Sequence, residues 1–310
     1  MALINNIEDL RKYVKLNATS DISTLAPYIN DAQDKYLAPY VGNKLLTTLE
    51  TNTDDDLLKS LLCRALGPFS LALATDELSI NFGESGHTVT RTEKLAPASD
   101  AKIERAMESQ FERAWANLDR ALNYLVKNTS IYPDWKESDG YRMRQTQLFN
   151  SAESFQEDGM VDIEYSYMTF LKLRTLIIRV EKAETITLLP PPFSIDDLKA
   201  SSEDSYKRIL SALQAFTGSR VASIHTSQST RTQRSSNSAQ TEYKPVIRPL
   251  YEDMTDTGNY FDIQSDFWKT QIENLLVEGK HKEDSRYIKF NSADKRIFVV
   301  GARQENSTQL

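Results

Sequence analysis

An apolar stripe runs through residues 98–127 and constrains the architecture that this chain can adopt. Its members recur at intervals of three and four residues: Ile103, Met107, Phe111, Ala114, Leu118, Leu122 and Leu125. This spacing places them on one face of a long α-helix, and such a helix is stable in water only when that face is buried. We therefore predict a mainly α-helical protein in which this segment is a central element.

Further amphipathic segments lie on both sides of it. We predict helices over residues 3–17, over 24–40, from Leu57 towards Asp76, over 168–183, from Glu203 onwards and around Phe261. The turn-rich stretch 132–140 (YPDWKESDG) separates the two halves, and we expect Trp135 within it to be exposed or to lock two domains together.

Three segments break the helical pattern and predict β-hairpins. In residues 79–95 (SINFGESGHTVTRTEKL), threonines alternate with other residues from Thr88 onwards, and two glycines are suited to a turn. The Ser/Thr-rich segment 222–247 is predicted as a second polar hairpin, and residues 287–301 as a third.

The order of elements repeats along the chain. In each half a proline-broken helix, an acid-capped helix, a polar hairpin and a long amphipathic helix follow one another, with Pro39 and Pro190 lying 151 residues apart. We predict two tandem, similar helical-bundle modules, each with a protruding β-hairpin, and a short C-terminal β-hairpin. The predicted domains are 1–140, 141–279 and 280–310.

Composition excludes several classes of protein. The chain has 310 residues, 40% of them hydrophobic, and a formal net charge of −7, which argues against coating nucleic acid by bulk charge. No membrane segment or signal peptide is expected from the apolar runs. Cys63 is the single cysteine, so an internal disulfide is impossible.

The residues offer no catalytic constellation. His87, His225 and His281 are solitary, no glycine-rich phosphate loop occurs, and Cys63 lies among leucines as a buried small hydrophobe would. The paired carboxylates Asp54–Asp56, Asp196–Asp197 and Asp253–Asp256 resemble helix caps or solvated acids. We expect no enzymatic activity, no metal and no cofactor.

Charge is segregated near the C-terminal end. The segment 220–248 is basic apart from Glu242, and the following 251–278 is acidic apart from Lys269. Such opposite surfaces favour head-to-tail self-association. The candidate subunit contacts are the basic Arg231, Arg234 and Lys244, the first-hairpin residues His87 and Arg91, and the acidic Asp262, Asp266 and Glu273. Two alternatives remain open: a flexible loop that merely lacks acids, and an arm 220–248 that binds nucleic-acid phosphates.

Several stretches resemble an uncharacterised family from phages and prophages of Bacteroidetes. They are LINNIEDLRKYVKLNAT and LAPYINDAQDKYLAPYVGNKLLTTL within residues 3–49, ATDELSI, GHTVTRTE, RAMESQFERAWANLDRALNYLVKN with YPDWKES, FLKLRTLIIRVEKAETITLLP, and the terminal KRIFVVG. The N-terminal half also resembles the small helical head–tail connectors of long-tailed phages, with Ala32, Tyr36, Tyr40 and Gly42 in the corresponding places.

The resemblance implies a structural role in the virion. Such connectors form a ring of about a dozen subunits beneath the portal and extend the DNA channel. It implies a homo-oligomer at the head–tail junction, with the portal and the neck or tail proteins as partners and DNA passing without specific binding. During assembly the chain would be in the host cytoplasm. The present chain is about twice the length of the small connectors or more, which leaves its place in the neck open.

Overall fold

The computed structural model describes residues 2–16, 21–51, 57–78, 81–83, 86–88, 99–190, 193–232, 242–250 and 257–278. The fold is mainly helical, as the sequence predicts. The chain divides into two compact units. Unit 1 comprises Met1–Arg144, Ser166–Leu171 and Ser236–Pro245, and unit 2 comprises Gln145–Tyr165, Lys172–Ser235 and Val246–Leu310.

Unit 1 is built almost entirely from helices. Its elements in chain order are α1 (Ile7–Tyr13), α2 (Ile22–Ala32), a π-helical turn (Gln33–Leu37), α3 (Ala38–Val41), α4 (Asn43–Thr51), α5 (Leu57–Leu78), strands β1 (Asn81–Gly83) and β2 (Gly86–Thr88), α6 (Asp100–Lys127), a 3₁₀ turn (Pro133–Glu137) and α7 (Asp139–Arg142). The first helix begins where the side chain of Asn6 accepts a hydrogen bond from the amide of Asp9.

The core of unit 1 lies where α5 packs along α6 and α2 joins them. The ring of Tyr36 stacks on Phe69 at 4.3 Å, and Trp115 meets Phe69 edge-on at 4.8 Å. Trp115 is 7% exposed and belongs to this core. The stretch Leu57–Thr75 of α5 has the length and apolar content of a membrane span, but 61% of it is buried inside the fold, as in a core helix.

The strands β1 and β2 fall within the first predicted hairpin. They pair antiparallel, with Asn81 opposite Thr88 and Phe82 opposite His87. Residues 79–80, 84–85 and 89–95 of the predicted hairpin lie outside the described residues, as does the whole predicted C-terminal hairpin within 280–310.

The prediction that Trp135 is exposed or locks two domains together is wrong. Its side chain is 0% exposed, and its indole N–H donates to the carbonyl oxygen of Tyr40 at 3.1 Å, inside unit 1. Its ring meets Tyr141 edge-on at 5.3 Å. The polar, turn-forming neighbours of Trp135 suggested a linker, but the 3₁₀ turn folds the ring into the core instead.

Unit 2 contains two long helices and several short elements. In chain order these are α8 (Ala152–Glu157), β3 (Val161–Asp162), α9 (Tyr167–Val180, which begins in unit 1), a π-helical turn (Glu181–Thr185), a 3₁₀ turn (Ile186–Leu188), α10 (Ile195–Ala200), α11 (Asp204–Thr232), β4 (Arg248–Pro249) and α12 (Thr257–Glu278). A capping box between Ser194 and Asp197 starts α10.

The second predicted hairpin, 222–247, is wrong over its first part, since α11 continues as a helix to Thr232. Val221 and Ala222 are fully buried, and the hydroxyl of Thr226 bonds the carbonyl oxygen of Ala222 at 2.8 Å. Burial therefore outweighs the weak helix preference of the Ser/Thr-rich sequence. Residues 233–241 lie outside the described residues, and β4 pairs with β3.

A π-helical turn interrupts one helix in each unit, and each turn begins with a buried polar residue. Gln33 starts the first, where its Oε1 accepts the amide of Leu3 at 2.9 Å. Glu181 starts the second, where its carboxylate accepts the amide of Leu148 at 2.9 Å. The two turns therefore start 148 residues apart, three fewer than the spacing of Pro39 and Pro190.

Candidate functional site

Helix α12 has an inner face against α11 and an outer face towards solvent. Its inner face buries Phe261, Ser265 and Ile272, which recur at helical spacing. Asp266 and Glu273, two of the three acidic contacts predicted from the sequence, are exposed on the outer side. Among the described residues neither of these carboxylates has an ion-pair partner, so both remain available to another molecule.

The third predicted acidic contact, Asp262, already has partners within unit 2. The hydroxyl of Ser223 donates to its carboxylate, and Nη1 of Arg220 lies 3.9 Å away. The same Arg220 donates from Nε to Glu184 at 2.6 Å. This network fixes α12 to α11 and to the π-helical turn, and it leaves Asp262 exposed at its edge.

Two large apolar side chains accompany the acids on α12. Ile263 is 57% exposed and Phe267 is 48% exposed, and they lie one turn apart. Sequence analysis missed them because a Phe within an apolar helix is ordinarily assigned to the core. Exposed apolar residues bordered by charge are typical of protein interaction surfaces.

The basic residues predicted as contacts are not brought together. Arg91 and Arg234 lie outside the described residues, Arg231 lies in the last turn of α11, and His87 lies in β2. Lys244 is exposed and belongs to unit 1, whereas α12 belongs to unit 2.

A basic stripe that the sequence did not predict runs along the outer face of α9 and onto the π-helical turn that follows it. Lys172, Arg179 and Lys182 are all exposed in unit 2, with exposed Thr175 between the first two. Their separations of seven and three residues were the available signal, since both separations bring side chains to one side of a helix. The acid beside them, Glu181, points inward and is 1% exposed.

The buried carboxylate of Glu181 has a structural task. It accepts the hydroxyl of Thr146 at 2.6 Å and the amides of Gln147 and Leu148 at 3.2 and 2.9 Å. These donors satisfy the charge inside unit 2. Glu181 therefore anchors residues 146–148 to the π-helical turn and is not free for catalysis.

The loop around β3 has a strained backbone. Met160, Glu164 and Tyr165 have φ of 53°, 56° and 52°, values that L-residues adopt at a cost. Oε1 of Gln156 accepts the amides of Ile163 and Tyr165, which holds the loop in this conformation. The loop exposes Tyr165 and Met160, and sequence analysis gave no indication of it.

A groove of about 350 Å³ lies between α11 and α12. Trp268, Ala212 and Leu275 supply apolar walls, and the exposed cations Lys207 and Arg208 lie at its border. Trp268 is only partly buried.

No catalytic group emerges from the parts of the chain that the structure describes. There, no three His, Cys, Asp or Glu side chains are grouped as metal ligands. Cys63 is buried, as predicted, and burial raises the pKa of its thiol to about 12, so the nucleophilic thiolate is suppressed.

Comparison with known proteins gives one family. A model described as "Family of unknown function (DUF6712)" matches residues 7–145, which is less than half of the chain. No curated protein and no solved structure matches the chain. The matched stretch coincides closely with the first segment of unit 1, Met1–Arg144, so this part of the chain is similar to a family whose function is unknown.

Proposed function

We propose that this chain is a non-enzymatic structural subunit of a bacteriophage virion, a head–tail connector that forms a ring between portal and tail. The outer face of α12 carries the proposal, because Ile263 and Phe267 are exposed there beside the acids Asp266 and Glu273. An apolar pair bordered by charge favours docking to a protein surface. The identity of the assembly rests on the resemblance of the N-terminal half to phage connectors, with Ala32, Tyr36, Tyr40 and Gly42 in the corresponding places.

The same proposal includes a duplicated architecture, with modules over 1–140 and 141–279. Two observations support it. Each half has a π-helical turn that starts with a buried polar residue, and in both cases this residue binds an amide about thirty residues upstream, from Gln33 to Leu3 and from Glu181 to Leu148. Each half also ends in a packed helix pair, α5 with α6 and α11 with α12.

Ring formation requires a heterologous contact, in which two different surfaces of the subunit meet. A chain with separate acidic and basic faces is suited to such a contact, since each face recognises its opposite on a neighbour. The net charge of −7 suits a channel through which DNA passes without being held. We propose the head–tail junction of the virion as the final location and the host cytoplasm as the place of assembly.

The alternative function, a nucleic-acid-binding arm over 220–248, has less support. Arg220 is paired with Glu184, and Arg248 is paired with Glu164. Cations that already have an acidic partner contribute less to phosphate binding, because that partner must be displaced. Part of the arm, moreover, is the body of α11.

The test is assembly with the partners that the proposal names. The purified chain is mixed with the portal protein and the tail proteins of the same phage, and the particles are weighed by sedimentation and imaged by electron microscopy. We expect a ring that binds the portal. A chain that ignores the portal and tail proteins, yet binds duplex DNA with an affinity that falls steeply with salt, would establish the alternative.

A further inference from the structure

We infer that the basic stripe of α9 in one copy docks antiparallel on the acidic face of α12 in a second copy. The basic stripe consists of Lys172, Arg179 and Lys182, and the acidic face consists of Asp262, Asp266 and Glu273. This contact rests on the proposed function and specifies which surfaces of neighbouring subunits meet. It replaces the arm 220–248 as the basic partner of α12.

The basic stripe is narrow and has one sign of charge. At about 100° per residue, Arg179 lies about 20° from Lys172, and Lys182 about 60° further on, so the three share one side of α9 and its extension. The neighbouring acids are withdrawn from it, because Glu181 is buried and Glu184 is bonded to Arg220. An incoming carboxylate therefore meets these cations without competition from Glu181 or Glu184.

The acidic face is narrower than the basic stripe. Asp262, Asp266 and Glu273 fall within about 40° of one another around α12. Lys269 lies on the same side, so the acids outnumber the bases there by three to one. The acidic face therefore attracts a basic surface despite Lys269 at its centre.

The spacings of the two sets match when the helices run in opposite directions. Lys172 and Arg179 are seven residues apart, as are Glu273 and Asp266, which is about 10 Å along either helix. The third members follow after three residues at Lys182 and after four at Asp262. Two opposite-charge pairs, Lys172 with Glu273 and Arg179 with Asp266, can therefore form in one register. Lys182 then comes near Asp262, which Ser223 and Arg220 already contact.

In that register the remaining side chains are compatible. Lys269 falls opposite Leu176, so no two cations face one another. Ile263 and Phe267 flank the acids, and Leu176 with exposed Ala183 flanks the cations. Burial of these apolar atoms supplies the larger share of the affinity, since exposed ion pairs contribute little individually. The ion pairs set the register and the choice of partner.

The occupant is a second copy because both faces are exposed within one chain and complement each other. The two surfaces differ, so a bound copy still presents a free face of each kind at the two ends of the assembly. Repetition of the contact extends the assembly, and it closes into a ring when the rotation between copies allows closure.

Charge reversal with rescue tests the contact. The variants Arg179→Asp, Asp266→Arg and the double variant are compared with the native chain by sedimentation over a range of protein concentrations and at two salt concentrations. Arg105→Asp, which changes an exposed cation of α6 in unit 1, is the matched control. Thermal unfolding verifies that every variant retains its fold.

We expect each single reversal to raise the concentration needed for half-assembly by about tenfold or more, because an attraction becomes a repulsion. The double variant should regain assembly, and an equimolar mixture of the two single variants should assemble as well. The control should behave like the native chain. Higher salt should weaken the native assembly.

The inference is overturned if the native chain stays monomeric at all concentrations, or if it assembles and the single reversals leave that assembly unchanged. A ring on the portal that tolerates both reversals would leave the proposed function intact and remove only this contact. Association that is rescued in the double variant, without any binding to the portal, would retain the contact and remove the connector role.

Discussion

A Cβ atom on Gly218 would lie 2.0 Å from the carbonyl oxygen of Gly159, because the loop before β3 runs directly against α11. A Cβ on Gly159 would in turn lie 2.2 Å from the carbonyl oxygen of Phe155. Glycine is therefore required on both sides of this contact. The contact fixes the strained loop of unit 2 to its longest helix.

Replacement of Gly218 should destabilise unit 2 despite a better helix propensity. Alanine favours a helix by about 1 kcal/mol over glycine, but the clash with the main chain at Gly159 forces α11 and the loop apart. We expect Gly218→Ala to lower the free energy of unfolding by at least about 2 kcal/mol, measured by urea denaturation. The matched control is Gly67→Ala in α5, where the nearest atom is the Tyr13 Cβ at 3.0 Å. That variant should stay within about 1 kcal/mol of the native chain, and an equal loss in both would contradict the prediction.

Removal of the Glu181 carboxylate should lower the free energy of unfolding more than removal of the partly exposed carboxylate of Glu184. Glu181→Leu leaves the amides of Gln147 and Leu148 without their acceptor in a buried place, at a cost of about 2–4 kcal/mol. Glu184→Ala breaks only the partly exposed pair with Arg220, and about 1 kcal/mol or less should be lost. Chemical denaturation of both variants checks the order, and a reversed order would show that the anchor is unimportant.

The left-handed backbone at Met160 should accept glycine. This residue has φ of 53° and is 43% exposed, so glycine relieves strain and removes little burial. We expect Met160→Gly to raise the free energy of unfolding by up to about 1 kcal/mol, partly offset by the greater freedom of the unfolded chain. Met160→Val should lower it, because a β-branched residue tolerates this φ poorly. Thermal melts of the two variants test this prediction, because backbone strain at Met160 requires the two substitutions to change the stability in opposite directions.

The buried thiol should make stability fall in alkaline solution. The pKa of Cys63 is about 12 in the fold against 9.0 as the ordinary value, so the unfolded chain loses its proton first. The contribution of this thiol to the free energy of unfolding is therefore fully present below pH 9. It is lost as the pH rises towards 12, and the loss is about 1 kcal/mol at pH 10. Burial also raises the pKa of Tyr13, which acts in the same direction. Unfolding at pH 7 and pH 10 tests this, and Cys63→Ala should show a smaller decline than the native chain.

The long helices could be predicted because their signal is periodic and local. Residues 98–127 and the leucine-rich segment from Leu57 matched α6 and α5 within a few residues. The Ser/Thr-rich end of α11 could not be predicted as a helix, because its helical conformation depends on the burial of Val221 and Ala222. Trp135 was misassigned for a related reason: its contact with Tyr40 joins residues 95 positions apart.

The acidic half of the candidate site was predictable and the basic half was not. Asp266 and Glu273 belong to a conspicuous run of acids, and the structure does expose them. On α9 the cations alternate with buried leucines and with the inward Glu181, so the local composition hides the stripe. Its single sign of charge emerges only when each side chain is assigned to the inside or the outside of the helix.

The burial of Cys63 makes this chain a ready background for thiol chemistry. At neutral pH its only native thiol is shielded and protonated, so a cysteine placed at Arg179 or Asp266 would be the one thiol open to a maleimide dye or to disulfide formation. Chains carrying one or the other, mixed under oxidising conditions, would join covalently only where the two positions meet. Neighbouring subunits could thus be mapped residue by residue without first removing the native cysteine.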